Sequence, residues 1–272
     1  MPTARFPKRT VTGNNVIRAA FFDIDGTLVS FRTHTISDDS IRCLDRLREN
    51  GVKLFIASGR HKVFMNNLKD YPFDGYVCMN GSLVYVGDEV VYRHPMDSGE
   101  SEMIAGILEK NSISSVVYNE TEVNMNAMHG AALQVLSELA IEPLPPASLV
   151  KVAESPVYQY TPVMDDESFK RLLAPRLYKS VATRWHPAFL DIVPCGSSKA
   201  VGLEKAIEYF GISRAETVAF GDGENDIPML EYAGTGIAMG NASETVKSMA
   251  DYVTDTVDRE GVRKALEHFC LL

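Results

Sequence analysis

Two apolar runs far apart in the chain, "VIRAAFF" at Val16–Phe22 and "TVAFG" at Thr217–Gly221, each break off into aspartate and glycine. Nearly continuous apolar runs of this length are what a parallel strand covered on both faces requires. Parallel strands need crossover helices, and the sequence supplies them. Ser37 suits a helix cap, Asp38 and Asp39 suit its first turn, Ile41, Leu44 and Leu47 form its buried stripe, and Gly51 suits its exit. "VKLFIASGR" then gives a strand over 52–57, and "YVCMNG" another from Tyr76. The rhythm returns late: a helix over 199–210 closed by Gly211, the 217–221 strand, a helix over 225–232, the "GTGIAMG" strand, a helix over 243–250, "YVT", and a helix over 260–269. Strands alternating with helices predict an α/β fold around a Rossmann-like parallel sheet.

The middle of the chain has a different texture. "SLVYVGDEVVYR" alternates around Gly87-Asp88, a hairpin signal. Helical segments near 101–110, 130–140 and 166–173 interleave with strand-like "SSVVYNE", "EVNMN" and "VYQYTPVM", and "VATRWHPAFLDIV" reads as two strands meeting near Pro187. Residues 84–189 are therefore expected to form an inserted α+β domain within a core of residues 16–83 and 190–272. A length of 272 residues suits two modules. Residues 1–15, with Pro2, Pro7 and Gly13, are expected to be a flexible basic extension and not a targeting segment.

Composition excludes several classes of function. At 45% hydrophobic and 23% charged, the chain can build a sizeable core, and it has no run of eighteen apolar residues to span a membrane. A net charge of −9 argues against general nucleic-acid binding, which depends on neutralising phosphates. Cys43, Cys78, Cys195 and Cys270 are too scattered for a zinc site and fit idle thiols in a reducing cytoplasm.

Ligands of open parallel sheets bind beyond the carboxyl ends of the strands. At those ends stand Asp23, Asp25 and Thr27 after the first strand, Ser58, Gly59 and Arg60 after the second, and Asp222, Asn225 and Asp226 after the late one. Lys199 opens the helix before that late strand. Each piece alone also fits a plainer role: a strand-exit turn for Asp-Ile-Asp-Gly-Thr, a helix cap for Ser58 and for Asp222 or Asn225, a solvated lysine for Lys199. Turns and caps give no reason for acids to converge opposite a lysine. Converging carboxylates need counter-charge, and a hard divalent cation with oxygen ligands, Mg2+ in the first place, supplies it. The lysine, a hydroxyl and helix N-terminal amides would serve an anion. Together they point to phosphoryl transfer through an aspartyl-phosphate.

"DIDGT", "SGR", Lys199 and "GDGEND", in that order, resemble the four motifs of the haloacid dehalogenase superfamily of phosphohydrolases. "MNG", "GIAMGNA", "MADYVT" and "DREGVRKAL" are similar to its Cof-type branch of sugar-phosphate phosphatases, whose large α/β cap falls where the middle insertion lies. The resemblance implies Asp23 as nucleophile and Asp25 as general acid and base. It implies a metal held by the Asp23 carboxylate, the Asp25 main-chain carbonyl and Asp222, with Asp226 acting through water. Ser58, Gly59, Lys199 and Asn225 would hold the phosphoryl group. In the cap, Arg184, Trp185 and His186 are candidate contacts for the leaving group; the plainer reading has Trp185 packing the cap and His186 on its surface. The expected partner is a small phosphate ester, with no nucleic acid and no membrane, bound by a monomer or weak homo-oligomer. A phosphomutase would use the same aspartate, and a non-catalytic sensor of phosphorylated metabolites is disfavoured because both aspartates are present.

Overall fold

A computed structural model describes residues 16–126 and 144–272, with Trp185 and His186 described by their backbone alone. The expected extension over 1–15 and the expected helix near 130–140 lie outside the described residues. The chain divides into two compact units, the first ending at Tyr92 and resuming at Ser198, the second spanning Arg93–Ser197.

In the first unit the chain lays down β1 (Ala19–Phe22), α1 (Asp38–Glu49), β2 (Lys53–Ala57), β3 (Gly75–Cys78), β4 (Leu83–Val86) and β5 (Glu89–Arg93). Ser37 caps α1 by accepting from the Ser40 amide at 3.0 Å, and Cys43, Leu44 and Leu47 form its buried face. The second unit contains α2 (Ser98–Lys110), β6 (Ser115–Tyr118), β7 (Val123–Met125), α3 (Leu149–Val152), β8 (Gln159–Pro162), α4 (Asp166–Leu172), β9 (Ser180–His186) and β10 (Phe189–Pro194). The chain then returns to the first unit through α5 (Lys199–Phe210), β11 (Thr217–Gly221), α6 (Ile227–Tyr232), β12 (Thr235–Ala238), α7 (Glu244–Met249), β13 (Tyr252–Val253) and α8 (Gly261–His268). The expected helix over 225–232 divides into a 3-10 turn, Glu224–Asp226, and α6, with Pro228 in its first turn.

Among the described residues the first unit builds one eight-stranded sheet in the order β13-β12-β11-β1-β2-β3-β4-β5. All pairs from β13 to β3 are parallel, and β4 joins antiparallel to β3. The mixed α/β class and parallel-rich core match the sequence-based expectation. The hairpin around Gly87-Asp88 belongs to this sheet and not to the insertion, because β4 pairs with β3 over Gly75–Cys78. Its alternating pattern reflects an antiparallel edge with one solvated side. Residues 190–197, expected in the core, lie in the second unit, where β10 pairs with β8 and β9.

Phe21 and Phe22 show why β1 is apolar throughout. Successive side chains leave a strand on opposite faces, and both are fully buried. Phe21 stacks on Phe55 at 4.6 Å and Phe22 on Phe220 at 5.0 Å. The register then levels the strand ends: Phe22 lies opposite Ile56 on one side and Phe220 on the other. Asp23, Ser58 and Asp222 therefore leave the sheet at nearly the same height. β1 is also the strand from which the order runs outward both ways, the topological switch point where such sheets bind ligands.

The second unit has a five-stranded sheet, β7-β6-β8-β10-β9, antiparallel throughout. Its apolar core gathers Ile104 and Leu108 of α2 against Val117, Tyr160, Leu190 and Ile192. No helix among the described residues is long and apolar enough to cross a membrane.

Candidate active site

The loop leaving β1 winds tightly: the amides of Thr27, Leu28 and Val29 all donate to the Ile24 carbonyl. Gly26 has φ +86°, and a Cβ there would lie 2.1 Å from Asp222 Oδ2. Glycine is required twice at this position, by the dihedral and by the space Asp222 occupies. Thr27 Oγ1 donates to Asp222 Oδ1 at 2.9 Å, and Asn241 Nδ2 donates to Asp222 Oδ2 at 3.1 Å and to the Gly26 carbonyl at 2.9 Å. Asp222 is thus oriented by two segments remote from it in sequence.

Lys199 lies at the start of α5 and is fully buried, as is Asp226, while Asp23 is 7% exposed. Lys199 Nζ donates to Asp23 Oδ1 at 2.5 Å and also to Asp226 Oδ1. The other Asp226 oxygen accepts from the amides of Asp222 and Gly223 at 2.9 and 2.8 Å. Lys199 reaches this depth because α5 starts hard against the turn after β3. There Met79, Asn80 and Gly81 all have positive φ, and a Cβ on Gly81 would lie 1.9 Å from the Ser198 carbonyl.

Charge dominates this cluster. Burial pushes the Asp23 carboxyl well above the ordinary carboxylate range; Lys199 pulls it down, and Asp226, Asp222 and Asp25 push it up. Asp222 is raised to about 7, by burial first and by Asp226 second. Burial on its own would lower Lys199, but Asp226 and Asp23 more than reverse that and hold it firmly protonated. Three carboxylates face one ammonium. Asp23, Asp222 and Asp226 each present a carboxylate oxygen lying within 4.8 Å of the others, the one such metal-capable group among the described residues. The donors are all hard oxygens and the local charge is in excess, so the residues fit a hard divalent cation.

Asp25 is held differently. Arg60 Nε and Nη2 grip its two oxygens at 2.8 and 2.7 Å. Ser58 is 2% exposed, and its Oγ accepts from the Arg60 amide at 3.1 Å, a local turn where the plainer reading had a helix cap. Asn225 is exposed and donates to Asn80 Oδ1 at 3.0 Å. Gly59 lies beside the same Asn80 side chain, 3.3 Å from where a Cβ would stand. Arg184 is spent within the second unit, donating to Asp166 Oδ1 at 2.7 Å and to the Met164 carbonyl at 3.0 Å. The side chains of Trp185 and His186 lie outside the described residues.

Of the residues expected from the strand ends, Asp23, Lys199, Asp222 and Asp226 are brought together, while Asp25 and Ser58 are engaged by Arg60 and Asn225 by Asn80; three supporting roles were not assigned from sequence. Arg60 clamps Asp25, Asn80 holds Asn225, and Asn241 ties Asp222 to the Gly26 loop. A signal existed for Asn80: an Asn-Gly directly after a parallel strand suits left-handed backbone. None existed for the partner of Arg60.

Comparison with known proteins identifies the family. The family model of haloacid dehalogenase-like hydrolases matches residues 20–266. The pyridoxal phosphate phosphatase YbhA of Escherichia coli is 32% identical over 258 residues, covering 87% of this chain and 92% of that protein. The solved structure of the HAD subclass IIB sugar phosphatase BT4131 is 38% identical with a TM-score of 0.86, over 94% of this chain and all of the other. The phosphatase BT1666 of Bacteroides thetaiotaomicron is 33% identical with a TM-score of 0.86, over 98% of this chain and all of the other. With one family's model spanning both ends of the sheet and all of its acidic strand ends, the chain belongs to the haloacid dehalogenase-like hydrolases, as a phosphatase of the Cof-type branch.

Proposed function

We propose that this protein is a magnesium-dependent phosphatase that hydrolyses small phosphorylated metabolites, sugar phosphates foremost, through an aspartyl-phosphate on Asp23. The observation that carries the reading is the buried Asp23–Lys199–Asp226 chain beside Asp222 at the switch point of the sheet. Lys199 fixes one oxygen of Asp23, and the other attacks phosphorus in line while the P–O bond to the leaving group breaks. Asp25 gives the departing alkoxide its proton, then takes one from the water that cleaves the acyl-phosphate and regenerates Asp23. To reach the leaving group, an Asp25 oxygen must exchange Arg60 for substrate. Ser58, the Gly59 amide, Lys199 and Asn225 hold the phosphoryl oxygens.

Asp23, the Asp25 main-chain carbonyl and Asp222 would hold the magnesium ion, which supplies charge neutralisation for the transferring phosphoryl group. Asp226 would act through water, a reading supported by its own two oxygens already being engaged by Lys199 and by two amides. The second unit would select the leaving group, and the free cysteines among the described residues accord with a cytoplasmic setting. Purified protein is expected to hydrolyse p-nitrophenyl phosphate with magnesium and to stop when the metal is chelated. Undiminished turnover in excess chelator would overturn the mechanism. A hydrolysis screen across sugar phosphates, nucleotides and pyridoxal phosphate identifies the substrate class.

A further inference from the structure

In the first unit β12 lies beside β11, and β11 beside β1. Three loops therefore leave the carboxyl edge of this sheet as neighbours: one with Gly26, one with Asp222, and one over 239–242. The third is pinned by main-chain hydrogen bonds on both sides. Met239 N donates to the Gly221 carbonyl at 2.9 Å, and Gly240 N donates to the Asp255 carbonyl at 3.0 Å. From this loop the Asn241 side chain reaches three groups. Its Nδ2 donates to the Gly26 carbonyl at 2.9 Å and to Asp222 Oδ2 at 3.1 Å, and its Oδ1 accepts from the Val257 amide at 3.0 Å. Both amide protons are committed, and the contacts fix the orientation. Turned over, the oxygen would face a carbonyl and a carboxylate while the NH2 met an N–H donor.

Gly26 directly follows Asp25, and in the reading above the Asp25 carbonyl and Asp222 both belong to the metal-holding set. Asn241 thus joins the two loops that supply those oxygens. Thr27 Oγ1 holds the other Asp222 oxygen, but from within the Gly26 loop. Asn241 acts from a third loop, itself anchored to the 3-10 turn Val257–Arg259. The side chain is exposed, so water can replace each hydrogen bond singly if it is removed. What separate waters do not restore is a fixed spacing between the Gly26 loop and Asp222. The fold tolerates that loss. Magnesium does not, because it demands near-ideal oxygen placement, and donors behind a ligating carboxylate tune its affinity.

We propose that Asn241 is a positioning residue for the divalent cation: by holding Asp222 and the loop of Asp25 at one spacing, it sets the metal affinity of the site without touching metal or substrate. The inference rests on the metal-dependent phosphatase reading above. The experiment follows Mn2+ binding to purified wild type and Asn241→Leu by electron paramagnetic resonance. Mg2+ titrations of p-nitrophenyl phosphate hydrolysis and thermal melts in chelator accompany it. The variant is expected to bind Mn2+ about 10-fold more weakly and to need about 10-fold more Mg2+ for half-maximal turnover. Saturating Mg2+ should bring kcat back to within about threefold of wild type. The melting temperature in chelator should stay within about 3 °C. Unchanged Mn2+ affinity overturns the proposal, with or without a lower melting temperature, as does a loss of kcat that saturating Mg2+ does not restore. Asn241→Ser repeats the comparison should the leucine variant fail to fold. Failure of the underlying reading is distinguishable, because the wild type itself would then bind no Mn2+ or turn over undiminished in chelator.

Discussion

Each unit buries carboxylates, and the two treat them in opposite ways. Glu100 of the second unit is fully buried and is surrounded by donors. Its Oε1 accepts from the amides of Tyr178 and Lys179 at 2.6 and 3.2 Å, and its Oε2 from Ser180 Oγ at 2.8 Å. One charge receives three dipoles and ties the start of α2 to the start of β9. In the first unit Asp23 and Asp226 share a single lysine, with Asp222 close by. A buried charge solvated by fixed dipoles holds a chain in place; like charges gathered around too few counter-charges leave an excess of negative charge that a divalent cation would offset.

Substitutions can break this comparison, and the largest effect belongs to Asp23. Asp23→Asn should cut kcat for p-nitrophenyl phosphate at least about 10³-fold, since the proposed nucleophile is gone. Its melting temperature should stay level or rise, because a repelling charge goes with it. Asp25→Asn should lower kcat by roughly 10²- to 10⁴-fold, the range of general acid–base catalysis, with the loss read in steady-state kinetics. Glu100→Ala should reverse the pattern, costing about 3 kcal/mol in urea unfolding by stranding three donors. If Glu100→Ala were neutral in stability, or Asp23→Asn strongly destabilising, the contrast between the units would collapse.

The smallest effect is a pH linkage. Asp222 is raised from 3.8 to about 7, so the metal-free fold holds its proton more tightly than the unfolded chain does. That stabilisation is complete below pH 4 and is lost as pH rises through 7. Metal-free protein should melt roughly 5 °C lower at pH 8 than at pH 5 from this group and its coupled neighbours. Magnesium should narrow the gap, and Asp222→Asn should flatten it. A melting temperature that rises between pH 5 and 8 in chelator, while that of Asp222→Asn does not, would contradict the sign.

Much of this arrangement was legible in the residues because local chemistry fixes it. The helix over 199–210 could be bounded to the residue, since Ser198 is its cap and Gly211 takes the left-handed exit at φ +59°. The 84–92 hairpin could be recognised but not assigned to a sheet, because alternation describes the strand's two faces and says nothing of its neighbour. The boundary of the insertion consequently fell at 84 where the structure places it after Tyr92. Arg60 was visible at a strand end, yet its carboxylate partner 35 positions away emerges only when β1 and β2 pair.

The sequence by itself determined which residues could do chemistry: an acid pair after β1, a hydroxyl after β2, acids after β11 and a lysine at the head of a helix. Periodicity, caps and glycines are short-range signals, and they sufficed for the α/β class and for those strand ends. Tertiary structure alone decided that Lys199 would be stripped of water between Asp23 and Asp226, that Asp222 would be raised toward neutrality, and that Asn241 would join Asp222 to the Gly26 loop. These outcomes depend on burial and on partners such as Asp23 for Lys199, 176 positions away, and Thr27 for Asp222, 195 positions away. Desolvation and Coulomb interaction follow distance in space, and no local pattern in the chain encodes it.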